Sequence, residues 1–323
     1  MDRRTFIHTL AGSLLAAPVR ARAQQPGKVR RIGILTTGTI AGNWAPFFET
    51  LRELGWIEGQ NLLVERRAAG GKADLVPGFA AELVQQRLDV IVTEGAVASL
   101  AARNATTTEP IVTITGDPLR LGLVASMARP GGNITGTSTV APELAAKRLE
   151  LLRELRPTAT RVGELVDPAN AYIRLIRNED EQAYRSLGMQ PFFVDVADAS
   201  RLERIFAELA RSRVDALVVR ADPLFAANRD QIAGLALKHA LPTIAEGMPF
   251  VSAGCLASYA PKASAMARGT AVFVDKIFKG ANPGDLPIEQ PTRFELAINL
   301  KTAKVLGVAI PSSVLLRADE VIQ

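Results

Sequence analysis

The sequence is poor in the residue types that most metal and nucleophilic chemistry draws on. Its 323 residues contain one cysteine, Cys255, and two histidines, His8 and His239. One cysteine excludes an intramolecular disulfide, and no cysteine follows the N-terminal leader to carry a lipid anchor. Zinc sites usually combine several histidines and cysteines, so no metal is expected. A Ser-His-Asp triad would have to use His239, which reads instead as a helix-end residue of the run 235–241. Aromatic residues make up only 5% of the chain. No stretch reaches the ~20 apolar residues that a membrane-spanning helix needs. Lys and Arg are scattered among acids without a basic block or interleaved aromatics, which argues against a nucleic-acid partner. No G-x-G-x-x-G or G-x-x-x-x-G-K-[ST] loop follows the first strand, and Gly131-Gly132-Asn133 precedes a strand, so no nucleotide cofactor is expected.

What is present begins with a leader. Arg3 and Arg4 precede an apolar stretch from Phe6 to Ala17, and Ala21-Arg22-Ala23 fits the small-x-small cleavage rule. The paired arginines followed by Thr5-Phe6-Ile7 resemble a twin-arginine signal. Residues 1–23 are therefore read as a signal peptide and the remainder as periplasmic. The whole chain carries a net charge of +5. Four leader arginines against Asp2 account for +3 of it, leaving about +2 on the exported part.

After the leader, short β-branched runs alternate with longer amphipathic ones. Strands are expected at 31–36, 62–65, 90–93, 111–115 and 134–136, with helices at 43–55, 74–86 and 96–104 between them. The alternation restarts with helix 142–155 and strand 161–166. It continues through helices 172–187, 200–212 and 226–239 and strands 192–194, 216–219 and 242–245. Apolar strands separated by helices signal parallel sheets covered on both faces. The fold class is α/β, with two doubly wound parallel-sheet lobes joined by a three-segment hinge near 137, 258 and 290. The lobes are assigned as 29–137 plus 258–288 and 138–257 plus 289–323.

In such sheets ligands bind beyond the carboxyl ends of the strands, and here those ends are repeatedly polar. The candidate ligand-binding residues are Thr37, Thr39, Thr93, Glu94, Gly116, Asp117, Asp167, Asn170, Asp222 and Glu246. Three of the acids stand in Asp-Pro pairs at strand-to-helix turns. There an aspartate accepts from a ligand ammonium or hydroxyl, or else caps the helix whose first turn the proline opens. Threonine hydroxyls and helix N-termini offer donors to a carboxylate. Trp44 and Phe47 open the first helix; Phe47 is expected in the core, and Trp44 is assigned equally to core or cleft.

With these residues placed, the chain resembles the ABC-transporter substrate-binding protein family of type 1 periplasmic-binding fold, whose characterised relatives include tryptophan and aromatic amino-acid binders. The resemblance rests on LGWIEGQNLLVERRAA (54–69), GDPLRLGLVASMARPGGNITG (116–136), KRLELLRELRPTATRVGELVDPAN (147–170) and the tail 274–307. It implies a hinged cleft that closes on a small solute, such as an amino acid or a related small polar or aromatic molecule, and then docks to an ABC permease in the membrane. It implies no catalytic residue and no enzyme activity. The protein is expected to act as a monomer. Two departures, Glu94 in place of a small residue and Ala245 in place of a tyrosine, set the chain apart from the aromatic amino-acid binders. The acids Glu94, Asp117, Asp222 and Glu246 favour a solute with a positive group. Competing readings are a ligand sensor that docks to a membrane receptor and an enzyme on the same scaffold.

Overall fold

The computed structural model describes residues 29–40, 44–139 and 143–323. The leader, and with it the cleavage near Ala23, lies outside the described residues. Five strands form the first sheet: β1 (Arg30–Thr36), β2 (Leu62–Ala68), β3 (Val90–Glu94), β4 (Ile111–Thr115) and β5 (Ile134–Ser138). Helices α1 (Ala45–Glu53), α2 (Val76–Gln85) and α3 (Ala96–Ala105) connect them. The order is β2-β1-β3-β4-β5 and every pairing is parallel. Both faces are apolar because both are covered. Leu35 and Ile91 pack under α2 and α3 on one side, while Ile32, Ile34 and Val92 pack against α1 on the other. Gly136 shows how tightly β5 lies on its neighbour, since a Cβ there would collide with the Thr113 backbone.

The second half repeats the pattern with α4 (Glu143–Leu155), β6 (Arg161–Val166), α5 (Ala171–Ser186), β7 (Gln190–Asp195), α6 (Leu202–Arg211) and β8 (Ala216–Val219). There follow α7 (Pro223–Ala227), α8 (Arg229–Lys238), β9 (Thr243–Ala245), α9 (Met248–Ala253) and β10 (Ala257–Pro261). The chain ends with α10 (Ala263–Phe278), β11 (Phe294–Asn299), α11 (Leu300–Leu306), α12 (Ser312–Leu315) and β12 (Glu320–Ile322). The second sheet has the order β12-β11-β10-β9-β8-β6-β7. It is parallel except where β11 runs antiparallel to β10. That reversal follows from topology, because β11 enters the sheet from the opposite end after the chain has visited the first lobe.

The excursion is made by α10. Its Phe273, Val274 and Phe278 are buried among Ile32, Ile34 and Phe47 of the first lobe. Trp56 of that lobe donates its indole N–H to Asp275 at 2.9 Å. The chain therefore crosses between the lobes three times: between β5 and α4, at Lys262, and between Glu289 and β11. The second crossing falls later than the sequence boundary at 258, because all of β10 is hydrogen-bonded into the second sheet. Helix α9, the short α7 and α12, and strand β12 are elements that the apolar periodicity did not reveal. The first three are at most six residues long and β12 has three, too few to establish a period.

Candidate ligand-binding site

The carboxyl ends of the two sheets face each other across a cavity of about 320 Å³. That volume falls in the range of small-molecule sites, ~300–1,000 Å³. Apolar side chains, among them Ile114, Leu144, Tyr172, Ile173, Ile176 and Phe250, supply much of the wall. The lobes touch over it. Tyr172 lies against Gly116, and Arg120 of the first lobe reaches Glu179 of the second at 2.6 Å. The cleft is thus in a closed arrangement.

Six of the ten candidate residues line this cavity: Glu94, Gly116, Asp117, Asn170, Asp222 and Glu246. Thr37, Thr39, Thr93 and Asp167 do not. Thr93 is fully buried and shares its hydroxyl hydrogen bond with Ser99 at 2.9 Å. Thr37 is buried and accepts from the Gly71 N–H through its carbonyl, whereas Thr39 is exposed. Asp167 is buried behind the wall, where Oδ1 accepts from the Ala169 N–H. A strand end aims alternate side chains to opposite faces, and these residues fall on the turn or core side.

Asp222 fills the capping role foreseen for it and also lines the cavity. As N-cap of α7 its Oδ1 accepts from the Leu224 N–H at 2.8 Å, and Oδ2 accepts from the Asn170 side-chain amide at 2.9 Å. Asn170 in turn caps α5 through the Tyr172 N–H. Burial, reinforced by the nearby Asp167 carboxylate, pushes the Asp222 pKa up to about 7. Burial also raises Asp167. Across the cleft, burial raises Glu94, against the hydrogen bonds it accepts from the Thr36 hydroxyl at 3.1 Å and from the Trp44 side chain. Trp44 is therefore a core residue, packed edge-on to Phe47, that reaches the cleft only through this carboxylate.

The four acids expected at the cleft are joined there by four arginines, Arg120, Arg148, Arg220 and Arg229. Arg148, from α4, is 4% exposed and pairs with Glu246 at 2.5 Å. Arg220, just past β8, pairs with Glu164 at 2.5 Å and with Asp180 at 2.6 Å. Tyr184 donates its hydroxyl to the other oxygen of Glu164. Asp180 keeps one buried oxygen, Oδ2, without a hydrogen-bond partner, and burial raises its pKa to about 6. Arg120 pairs with Glu179. Arg229 donates to the Ala226 carbonyl and makes no ion pair among the described residues.

Sequence reasoning missed Arg148, Asp180 and Arg220, although two of them left a signal. Arg148 interrupts the buried stripe Leu144, Leu151, Leu155 of α4, and Asp180 interrupts Ile173, Ile176, Tyr184 of α5. A charge on an apolar stripe must be paired or functional, since burying it alone is costly.

Comparison with known proteins agrees with this architecture. A curated tyrosine-binding protein of Clostridioides difficile is 25% identical over 261 residues, covering 80% of this chain and 75% of the relative. The structure of an ABC domain in complex with L-Trp from Streptococcus pneumonia aligns with a TM-score of 0.82 at 24% identity, covering 91% of this chain and 99% of that one. A conserved domain protein from Vibrio cholerae aligns with a TM-score of 0.84 at 23% identity, over 91% of this chain and 100% of its own. Residues 39–322 match the family described as ABC transporter substrate binding protein, and with that match spanning nearly all of the two lobes, the chain belongs to this family.

Proposed function

We propose that the cleft takes a small zwitterionic solute of the α-amino acid class with an apolar body. The observation that carries this reading is the distribution of uncompensated charge. Among the acids and arginines lining the cavity, Arg120, Arg148 and Arg220 are held by carboxylates, while Arg229 is held by none among the described residues. Glu94 and Asp222 face the same space without an arginine partner. A solute ammonium fits between those two carboxylates, and a solute carboxylate fits Arg229. The apolar wall accommodates the side chain. The tyrosine and tryptophan named for two relatives belong to the same chemical class.

Further parts of the reading rest on the family and the leader. The protein works outside the cytoplasmic membrane after removal of residues 1–23, by the twin-arginine route. It acts as a monomer, hands its solute to an ABC permease and does not alter it chemically. The lobes turn about the three crossings, between β5 and α4, at Lys262 and near 290. No helix among the described residues is long and apolar enough to cross a membrane.

The test is a melting screen and calorimetric titration of the purified chain lacking residues 1–23. The probes are free L-amino acids, their N-acetyl derivatives, their decarboxylated amines and simple sugars. A ligand bound only by the native state raises its melting temperature, so stabilisation by the free amino acid and loss of it in both derivatives is expected. Stabilisation by sugars alone, or by the N-acetyl derivatives as strongly as by the parents, would sink the proposal.

A further inference from the structure

Closure sets bare backbone of the first lobe against one turn of the second. A Cβ on Gly38 would stand 2.6 Å from the Pro223 carbonyl oxygen and 3.0 Å from the Pro223 Cβ. A Cβ on Gly95 would stand 2.9 Å from Cγ of the same proline. No side chain fits such gaps without pushing the lobes apart. Gly95 has φ of +87°, so its own turn already favours glycine. Gly38 has no such requirement, because its φ lies outside the left-handed region. Its N–H donates to the Thr36 hydroxyl and its carbonyl accepts from the Gly70 N–H, and a side chain would leave both bonds intact. Among the described residues, the atoms nearest a Cβ at 38 all belong to Pro223, so the demand for glycine there comes from the second lobe.

We propose that Gly38 and Gly95 form a notch that receives Pro223, and that the bareness of this notch sets how far the cleft closes. The consequence for binding follows from the chain. Pro223 is the residue after Asp222 and opens α7, so its position is locked to the Asp222 carboxylate by the helix cap. The depth to which Pro223 seats fixes where Asp222 stands relative to Glu94, which ends β3 next to Gly95. Gly38 is thereby a positioning residue for solute capture, acting through Pro223 on Asp222. This inference rests on the reading that the lobes open and close, but not on the identity of the solute.

The experiment needs no solute. A Cβ on Gly116 would lie 2.9 Å from Cδ1 and 3.0 Å from Cγ of Tyr172 across the cleft. Gly116→Cys with Tyr172→Cys brings two Cβ atoms within about 4.5 Å in the closed form, the reach of a disulfide. The native Cys255 is buried, so it does not compete. The rate of disulfide formation in oxidised glutathione, read by gel mobility, reports how often the lobes reach closure. Adding Gly38→Ala should slow it roughly tenfold, and Gly38→Val more, because both overfill a packed contact. The melting temperature of the reduced protein should not change. Gly78→Ala, on α2 with open space where its Cβ would go, should leave the rate as it was. Equal rates in the parent pair and in Gly38→Val overturn the proposal, as does a parent pair that never closes. A lowered melting temperature in both Gly38 variants also overturns it, since Gly38 would then serve folding. Failure of amino acids to bind touches the reading of the solute alone.

Discussion

The first lobe meets the cleft with glycines 38, 95 and 116, two carboxylates, Glu94 and Asp117, and the part-exposed Arg120. The second meets it with buried charge: Arg148 on Glu246, Arg220 on Glu164 and Asp180, and the capped Asp222 on Asn170. One wall is bare backbone that lets the other approach. The other is an ionic scaffold whose members hold one another. The difference teaches that the lobes share a fold but divide the work. Side chains of the second lobe are fixed by pairing before any solute arrives, and the first lobe supplies the surface that shuts on them.

If that division is right, mutations of equal chemical severity should hit the second lobe harder in stability. The largest effect is expected from Arg220→Met. It leaves Glu164 and Asp180 buried without their cation, and breaking such a pair costs about 3–5 kcal/mol. Urea unfolding should show this, with two spectroscopic probes followed together because two lobes need not unfold as one. A loss below about 1 kcal/mol would place the cluster among solvated surface pairs and break the comparison.

Next comes Asp222. Asp222→Ala removes the α7 cap and should cost ~1 kcal/mol, besides weakening binding. Asp222→Asn caps as well as aspartate and should behave differently with pH. Native Asp222 titrates at about 7 against an ordinary value of 3.8. Across that window the folded protein holds a proton that the unfolded chain has released, so this group's contribution to stability falls as pH rises. The asparagine variant has no proton to lose. Its stability relative to the wild type should therefore grow between pH 4 and 8 and be level below that range. A relative stability that shrinks with rising pH would contradict the assignment.

In the first lobe, Glu94→Gln should reverse the balance of effects. Solute affinity should fall about tenfold or more, as for loss of a charged hydrogen-bond partner. Stability at neutral pH should hold or rise, because burial already opposes the ionised carboxyl. Calorimetric titration alongside thermal melting checks both halves. The smallest effect is expected for Arg120→Ala. Its pairing with Glu179 spans the lobes, but both side chains are substantially exposed, and such pairs contribute about 0–1 kcal/mol. A large loss there would break the comparison by showing that the first lobe also holds the cleft through charge.

Much of the fold was legible because its signals are local. Nearly every strand and long helix follows from alternation of apolar runs, and Gly, Asn and Asp mark their ends. Strand-end positions pointed to Glu94, Gly116, Asp117, Asn170, Asp222 and Glu246, all on the cavity wall. The same rule overreached for Thr93 and Asp167, because a strand end shows which residues lie near the cleft but not which way each one faces. It also overlooked Arg148 and Asp180, which come from helix faces remote in sequence from any strand end.

The sequence by itself determined the order of elements, the two parallel sheets and the type of cleft, since periodicity and turn chemistry act over a few residues. Only the tertiary structure decided which charges meet. The pairing of Arg220 with Asp180, the seating of Pro223 on Gly38, and the bond from the Trp56 indole to Asp275 join residues far apart in the chain. Such contacts depend on how packed layers are set against one another, and no local pattern records that distance.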